Sequence, residues 1–269
     1  MQFLSVANVT KKFGGVTALN DVSFDINEGE VHGLVGENGC GKSTLMKIIA
    51  GVESRDRGSL TIKNQSIQRF TAMDAVKQGI GIIYQDLSLF PNLSVLENIY
   101  ISQMLNDRKA LVRSSAYKDN VVKIINQLGI HLDLDATVDE LPIAKQQLVA
   151  IARALVNQSK LIILDEPTTA LTRSEINNLF AILRQLKQQG IAFIFISHKL
   201  NELLEICDRV TVMRDGKVID CQPTEKLTSG DIENLMLGYA LTFETRASSA
   251  TDNVLLSVRH LSKRNSFQD

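Results

Sequence analysis

The segment from Gly36 to Ser43 reads GENGCGKS and follows directly on the apolar run VHGLV. Glycines at such spacing let successive backbone N–H groups turn inward around phosphate oxygens. Gly36, Glu37, Asn38, Gly39 and Cys40 would form the loop, and Gly41, Lys42, Ser43 and Thr44 its passage into a helix. Lys42 adds a positive charge near the terminal phosphates, and the Ser43 hydroxyl is placed to ligate Mg2+. A helix starting near Lys42 contributes about half a positive charge at its N-terminus. A strand before, a helix after and Lys-Ser in register make a chance glycine-rich turn a poor account of this segment.

A second stretch complements it. LIILDEP, residues 161 to 167, is an apolar strand ending in two acids. Ligands of parallel α/β sheets bind at the carboxyl edge, where Asp165 would hold Mg2+ through water and Glu166 would serve as base toward an attacking water. Adjacent acids at a strand end are often only solvated; the phosphate loop makes the functional reading the stronger one. IFISHKL puts His198 just past another buried strand, as a structural cap or as a contact to a terminal phosphate. Phe13, in KKFGG, is either a core aromatic or a stacking platform for adenine. His32, His131 and His260 show no ligand spacing.

These residues need a scaffold. Short all-apolar runs at 161–164 and 191–196 suit strands buried on both faces of a parallel sheet. Helical patterns at 42–51, 174–189 and 199–207 alternate with them, which indicates an α/β fold. RDGK, 214 to 217, is a hairpin turn centred on Asp-Gly. The early strands FLSVANV, VSFDI and SLTIKN are short and alternating, which suggests a smaller antiparallel sheet. Residues 94 to 157 carry helical periodicity and no convincing strand, as an inserted helical subdomain would. A polar linker is expected at 241–253. Beyond it VLLSVRHLSKR echoes the N-terminal QFLSVANVTKK, so 254–269 reads as the start of a second, truncated copy of the domain at 1–240.

Composition excludes several classes. The 269 residues are 44% hydrophobic and 22% charged, as in a globular chain, and the net charge of −1 gives no bulk signal for nucleic acid or anionic lipid. Cys40, Cys207 and Cys221 show no pairing pattern, which suits a reducing compartment. No apolar run approaches the roughly 18 residues that span a bilayer, and the N-terminus lacks signal-peptide character. A cytosolic chain is expected, with any membrane-spanning part supplied by a partner.

The motifs together resemble the nucleotide-binding domain of ABC transporters over about residues 3 to 240. In chain order the matches are Phe13, GENGCGKST, Gln85 in IIYQDLSLFPNLSVLENI, LPIAKQQLVAIARAL, LIILDEP, TTALT and His198. The resemblance implies a P-loop NTPase core with a mainly parallel sheet, an N-terminal antiparallel β subdomain and an inserted α-helical subdomain. It implies ATP and Mg2+ as ligands, with Phe13 on adenine and Ser43, Gln85 and Asp165 around the metal. Glu166, Gln85 and His198 would carry hydrolysis, and Gln85 would link the site to a membrane permease. Two such domains would sandwich two ATP molecules head to tail. PTTALTRSE, with Ala170, Leu171 and Thr172 in the D-loop and no aspartate at Thr172, is similar to the ATPases of simple-sugar importers. So are the apolar Leu148 and GYALTF. That implies a tandem protein on the cytoplasmic face of a membrane, served indirectly by a periplasmic or extracellular sugar-binding protein. Alone, this chain would be at best weakly active.

One motif departs from the family. The signature LSGGQ falls on Leu141, Pro142, Ile143, Ala144 and Lys145. Pro142 has neither hydroxyl nor N–H, and the branched Ile143 obstructs close backbone approach. Losing two charge-assisted hydrogen bonds would weaken a grip on the other domain's γ-phosphate by about 3–6 kcal/mol before any compensation by Lys145. The bland reading, that Leu141-Pro142 starts a helix with proline in its first turn, is compatible with this. Two alternatives share the motifs: an ABC ATPase acting on ribosomes or DNA, and a nucleotide-binding module that does not turn over. The D-loop and modest charge argue against the first; intact Lys42, Asp165, Glu166 and His198 argue against the second.

Overall fold

The computed structural model describes residues 1–106 and 115–238, with Ser257 and Arg259 beyond them; the expected linker at 241–253 and, those two residues apart, the repeat at 254–269 lie outside the described residues. The first strands are β1 (Gln2–Phe13) and β2 (Val16–Asn27), joined by Gly14-Gly15. Next come β3 (Val31–Val35), α1 (Lys42–Ile49), β4 (Arg57–Ile62), β5 (Gln65–Ile67), α2 (Ala72–Lys77) and β6 (Ile80–Ile83). A helical stretch follows: α3 (Val95–Asn106), α4 (Ser115–Leu128) and α5 (Ile143–Val156). The remaining elements are β7 (Leu161–Asp165), α6 (Arg173–Gln188), β8 (Ala192–Ile196), α7 (Leu200–Ile206), β9 (Arg209–Arg214), β10 (Lys217–Pro223) and α8 (Ser229–Leu237).

Two sheets result. The smaller is antiparallel, in the order β2-β1-β4-β5, and the larger runs β10-β9-β3-β8-β7-β6. From β9 to β6 every pairing in the larger sheet is parallel, and only β10 is antiparallel. The central strands are buried on both faces, and their alternate residues enter two different cores. Leu161, Ile163, Ile194 and Ile196 pack with α1 and the antiparallel sheet, whereas Ile162, Leu164, Phe193 and Phe195 pack with α5, α6 and α7. Uninterrupted apolar runs are what such two-sided burial requires. The α/β architecture, with an antiparallel sheet built from the N-terminal strands, is the one the sequence patterning implies.

Helix starts follow local chemistry. Thr71, Thr172 and Thr228 each cap a helix and exchange hydrogen bonds with an acid three residues on, Asp74, Glu175 and Asp231. Such caps are each worth about 1 kcal/mol. Sequence reading missed α2, α8 and β5. The capping boxes at Thr71 and Thr228 were the available signal for the two helices, whose apolar faces are too short for a clear period.

A buried polar knot joins the antiparallel sheet to the larger one. His32 is fully buried, with Nδ1 2.7 Å from Glu30 Oε1 and Nε2 2.7 Å from Thr211 Oγ1. Arg209 reaches Asp25 on β2 at 3.1 Å through both terminal nitrogens, Glu30 at 3.4 Å and the Cys221 sulfur at 3.1 Å. Burial works against a charged His32, but hydrogen bonds with Cys221 and Glu30 outweigh it and raise the imidazole above its ordinary 6.5. Burial likewise opposes the Glu30 carboxylate, and the His32 contact, the Asn27 N–H and the Arg209 charge together more than offset this, holding it below its ordinary 4.5. A raised folded value for His32 gives stability that is complete below 6.5 and lost as pH rises through that raised value. A depressed value for Glu30 gives stability present above 4.5 and lost as pH falls through the depressed value. The difference in unfolding free energy between wild type and His32→Asn is therefore expected to be present between pH 4.5 and 6.5 and to shrink as pH falls below 4.5. Guanidinium melts across and below that range measure it, and a difference that does not shrink on the acid side contradicts the charged His32–Glu30 pair.

Candidate functional site

Strand register brings the reactive residues together. Leu34 on β3 lies beside Ile196 on β8, Ile196 beside Asp165 on β7, and Leu164 beside Ile83 on β6. The four parallel strands thus end at one level. The loop from Gly36, the pair Asp165–Glu166, the turn holding Gln85 and the segment holding His198 all leave the sheet along the same edge.

The phosphate loop is shaped by glycines that no other residue could replace. Gly36 has φ 157°, and an added Cβ would lie 2.2 Å from the Met213 carbonyl oxygen. Gly41 caps α1 in the left-handed region at φ 105°, where a Cβ would sit 2.6 Å from the Ala18 carbonyl oxygen. The 214–217 hairpin braces the loop from behind: the Gly216 N–H donates to the Cys40 carbonyl at 3.1 Å and the Gly216 carbonyl accepts from Asn20 at 2.8 Å. Lys42 folds back over the loop, its Nζ donating to the carbonyls of Gly36 at 2.6 Å and Glu37 at 3.0 Å. Glu37, Asn38, Gly39 and Ser43 are exposed, while Cys40 and Gly41 are buried and Thr44 lies between. A phosphate arriving here would meet the N-terminal amides of α1 and an ammonium that has only neutral partners to leave.

Asp165 is pushed above the ordinary carboxylate value by burial and by the neighbouring Glu166 charge, with partial relief from Lys42. A divalent cation would reverse that balance, and Ser43, Gln85 and Asp165 offer the hard oxygen donors that Mg2+ takes. Glu166 sits at φ 49°, a left-handed conformation that costs a non-glycine residue about 1–3 kcal/mol. Its N–H donates to the Ile196 carbonyl at 3.0 Å, which holds the strained turn against β8. Its carboxylate lies 3.2 Å from His198 Nδ1 and accepts from the Thr169 hydroxyl at 3.2 Å. His198 is thus in direct contact with the acid, its ring otherwise exposed. Phe13, at the end of β1, is 46% exposed and stands under the Lys11 ammonium at 5.0 Å, so it is not a core aromatic.

Sequence reading missed a buried clasp behind these groups. Glu202 on α7 is 5% exposed and accepts from the hydroxyls of Thr168 and Ser197. Lys199 Nζ lies 3.2 Å from Glu202 and donates to the Thr168 carbonyl at 3.0 Å. Thr168 follows the Asp165–Glu166 pair and Ser197 precedes His198, so one carboxylate ties both loops. Glu202 looks like a solvated residue of a short helix in the sequence, and only the crossing of chain segments reveals its role.

The 141–145 segment is a helix start of unusual make. Pro142 is the cap of α5, at φ −56° and ψ 149°, one position earlier than the first turn where the sequence placed it. Its carbonyl accepts from the N–H groups of Lys145 at 2.9 Å and Gln146 at 3.1 Å, and the Gln146 side chain donates to the Leu141 carbonyl at 2.9 Å. Ile143 is 47% exposed, and Lys145 is exposed beside it. Thr172, which stands where the D-loop pattern usually has aspartate, is the cap of α6; Leu171 packs against the core and Ala170 is exposed.

Comparison with known proteins fits this geometry. Residues 19–169 match the family described as ABC transporter. The ribose import ATP-binding protein RbsA of Hahella chejuensis is 42% identical over 239 residues, covering 89% of this chain and 48% of that protein. The ribose import ATP-binding protein RbsA 2 of Burkholderia ambifaria is 42% identical over 233 residues, covering 87% of this chain and 46% of that protein. The chain spans about half the length of the curated relatives it matches. Among solved structures, an ATP-binding cassette of an ABC transporter in its ADP conformation superposes with a TM-score of 0.78 at 29% identity, over 88% of this chain and 95% of that one. A dimeric cassette in a post-hydrolysis state, bound to ADP and Pi, gives a TM-score of 0.70 at 27% identity, over 83% of this chain and 100% of that one.

Removing the clasp has a defined cost. Glu202→Ala would leave the buried Thr168 and Ser197 hydroxyls without their acceptor and is expected to destabilise the fold by about 1–3 kcal/mol. Denaturant unfolding measures the loss; an unchanged midpoint would mean that Glu202 ties nothing together.

Proposed function

The chain belongs to the ABC transporter family, and we propose that its described domain binds Mg-ATP and hydrolyses it to energise carbohydrate import through separate permease subunits. The observation that carries this reading is the shared level of the phosphate loop, Asp165–Glu166, Gln85 and His198 at one sheet edge.

The residues divide the work. Backbone amides from Gly36 to Thr44 would cradle the phosphates, and Lys42 would exchange its two carbonyl acceptors for phosphate oxygens. Ser43, Gln85 and Asp165 would hold Mg2+, whose charge offsets that of the β- and γ-phosphate oxygens. Glu166 would take a proton from the attacking water as the bond to the γ-phosphorus forms and ADP leaves. His198, already 3.2 Å from Glu166, would keep that carboxylate in place and face the γ-phosphate. The exposed ring of Phe13 suits stacking on adenine.

The ribose-import names of the relatives, together with Thr172 and Leu148, support a simple-sugar importer; the sugar itself would be chosen by the permease and by the periplasmic or extracellular binding protein. A cleft of about 300 Å3 lies beside the Gln85 turn, lined in part by Tyr84, Ile82, Ala150 and Arg153. Val52 and Val76 in its wall are 56% and 41% exposed, which suits an apolar segment of a permease. No helix among the described residues is long and apolar enough to cross a membrane; as the ATP-hydrolysing part of an importer, the domain would act peripherally on the cytoplasmic face. A second ABC domain of the same protein would complete two head-to-tail ATP sites. The capped but hydroxyl-free start of α5 would serve the second domain's ATP poorly, leaving the Lys42–Glu166–His198 site to hydrolyse.

In the full-length, permease-bound protein, Glu166→Gln is expected to lower ATP turnover about 10²–10⁴-fold while ATP binding persists. Phosphate-release and nucleotide-binding assays on the same preparation separate the two effects. Turnover near wild type would move hydrolysis to the other site, and purification with ribosomes or DNA in place of a membrane protein would overturn the transport reading.

A further inference from the structure

Arg153 stands in the last turn of α5, the helix whose first residues are Ile143, Ala144 and Lys145. Its guanidinium leaves the helix and reaches the turn that follows β6. Nη1 donates to the Ser88 carbonyl at 2.8 Å and Nη2 to the Leu87 carbonyl at 3.0 Å. Burial alone accounts for the lowering of its pKa, with no acidic neighbour contributing. A largely desolvated cation satisfied by two backbone carbonyls is an uncommon arrangement, because a carboxylate would compensate the charge more fully.

The carbonyls it holds belong to a strained segment. Leu87 and Ser88 are successive non-glycine residues in the left-handed region, at φ 59° and 44°. Such conformations persist only where surroundings over-determine them. The Leu87 N–H donates to the Tyr84 carbonyl at 2.8 Å, the Ser88 N–H donates to the Asp86 carboxylate at 3.2 Å, and the Leu87 side chain is buried in the core. Farther along, buried Asn98 accepts from the Phe90 N–H at 2.8 Å and donates to the Phe90 carbonyl at 2.9 Å. Gln85 is exposed inside this turn, with β6 fixing the chain before it and Arg153 fixing the chain after it.

We propose that Arg153 is a positioning residue for Gln85, a strut that makes the Gln85 turn move with α5. From Ile143 to Arg153 the helix is about 15 Å long at 1.5 Å per residue. A tilt of α5 at its 141–145 end would therefore be delivered to the Gln85 side chain through two hydrogen bonds. Lysine keeps the charge but cannot span two carbonyls with a planar fork, so the geometry is specific to arginine. The functional side of this inference rests on the reading that Gln85 serves bound Mg-ATP; the mechanical side does not.

Two measurements on this chain separate them. Amide hydrogen exchange without nucleotide reads the turn itself: Arg153→Lys is expected to speed exchange at Leu87 and Ser88 about tenfold, with core amides of β7 unchanged. Wild-type rates at Leu87 and Ser88 would overturn the strut whatever the chain binds. Calorimetric titration with ATP, with and without magnesium chloride, reads the consequence. Arg153→Lys and Gln85→Ala are each expected to reduce the Mg2+-dependent gain in ATP affinity about tenfold, leave Mg2+-free affinity within about twofold, and cost no more combined than singly. Equal losses with and without Mg2+, or additive losses in the double variant, would show that Arg153 acts through general stability and overturn the positioning role. A wild-type chain that binds no ATP would refute the ATPase reading, and the exchange experiment would still decide the strut.

Discussion

Hydrogen-bond register among four parallel strands is the constraint on which the rest of the site depends. Leu34, Ile196, Asp165 and Ile83 belong to different stretches of sequence, and pairing alone sets them within one residue of a common level. A slip of one residue in β7 would turn Asp165 to the opposite face and exchange the two sets of apolar residues between the cores. That slip is opposed by burial on both faces at once. Ile162 and Leu164 fit against α5 and α6, whereas Leu161 and Ile163 fit against α1 and the antiparallel sheet. The apolar interior thus fixes the register, and the register gathers the polar groups.

This explains which parts of the site could be read from the sequence. The phosphate loop, the acid pair after LIIL and the histidine after IFIS each lie within a few residues of the strand that positions them, so local pattern located them. The parallel core and the N-terminal antiparallel sheet followed from the same runs. What escaped reading depends on segments far apart in the chain. Glu202 acquires its buried partners because the segment after β7 passes over the start of α7. Arg153 meets Leu87 and Ser88 at sequence separations of 66 and 65. The His32 knot likewise needs β2, β3, β9 and β10 in one place. The error at Pro142 was of another kind: proline is compatible with both the cap and the first turn, and its ψ of 149° decides between them.

The altered 141–145 segment sharpens the distinction between a sound helix and a sound grip. Pro142 caps α5 with its carbonyl, and Gln146 closes back on Leu141, so the helix needs neither serine nor glycine to begin. Pro142 and the exposed Ile143 then stand where a hydroxyl and a bare backbone would serve a phosphate in the family pattern, and the exposed Lys145 stands where that pattern has glutamine. The last turn of the same helix carries Arg153, which donates two hydrogen bonds to the Gln85 turn. Under the proposed reading, α5 has kept its mechanical end and changed its recognition end, an asymmetry that would suit a domain paired with an unlike partner.

Exposure and burial are divided consistently around the sheet edge. Groups proposed to meet nucleotide or metal, such as Ser43, Gln85 and His198, are open to solvent. Their supports are nearly dry: Thr168, Ser197 and Glu202 behind the acid pair, and Asn98 beyond the Gln85 turn. An exposed side chain samples many rotamers and loses that freedom on binding, at a cost of up to about 2 kcal/mol for the longest. Fixing the backbone beneath it removes the larger, collective part of the uncertainty in its position. The left-handed conformations of Glu166, Leu87 and Ser88 are maintained in this way, by the Ile196 carbonyl in one case and the Arg153 guanidinium in the other. Strain at the reactive loops and buried hydrogen bonds behind them are therefore two sides of one device. A site assembled from several separate loops can be both open to its ligand and ordered before the ligand arrives only if such supports exist.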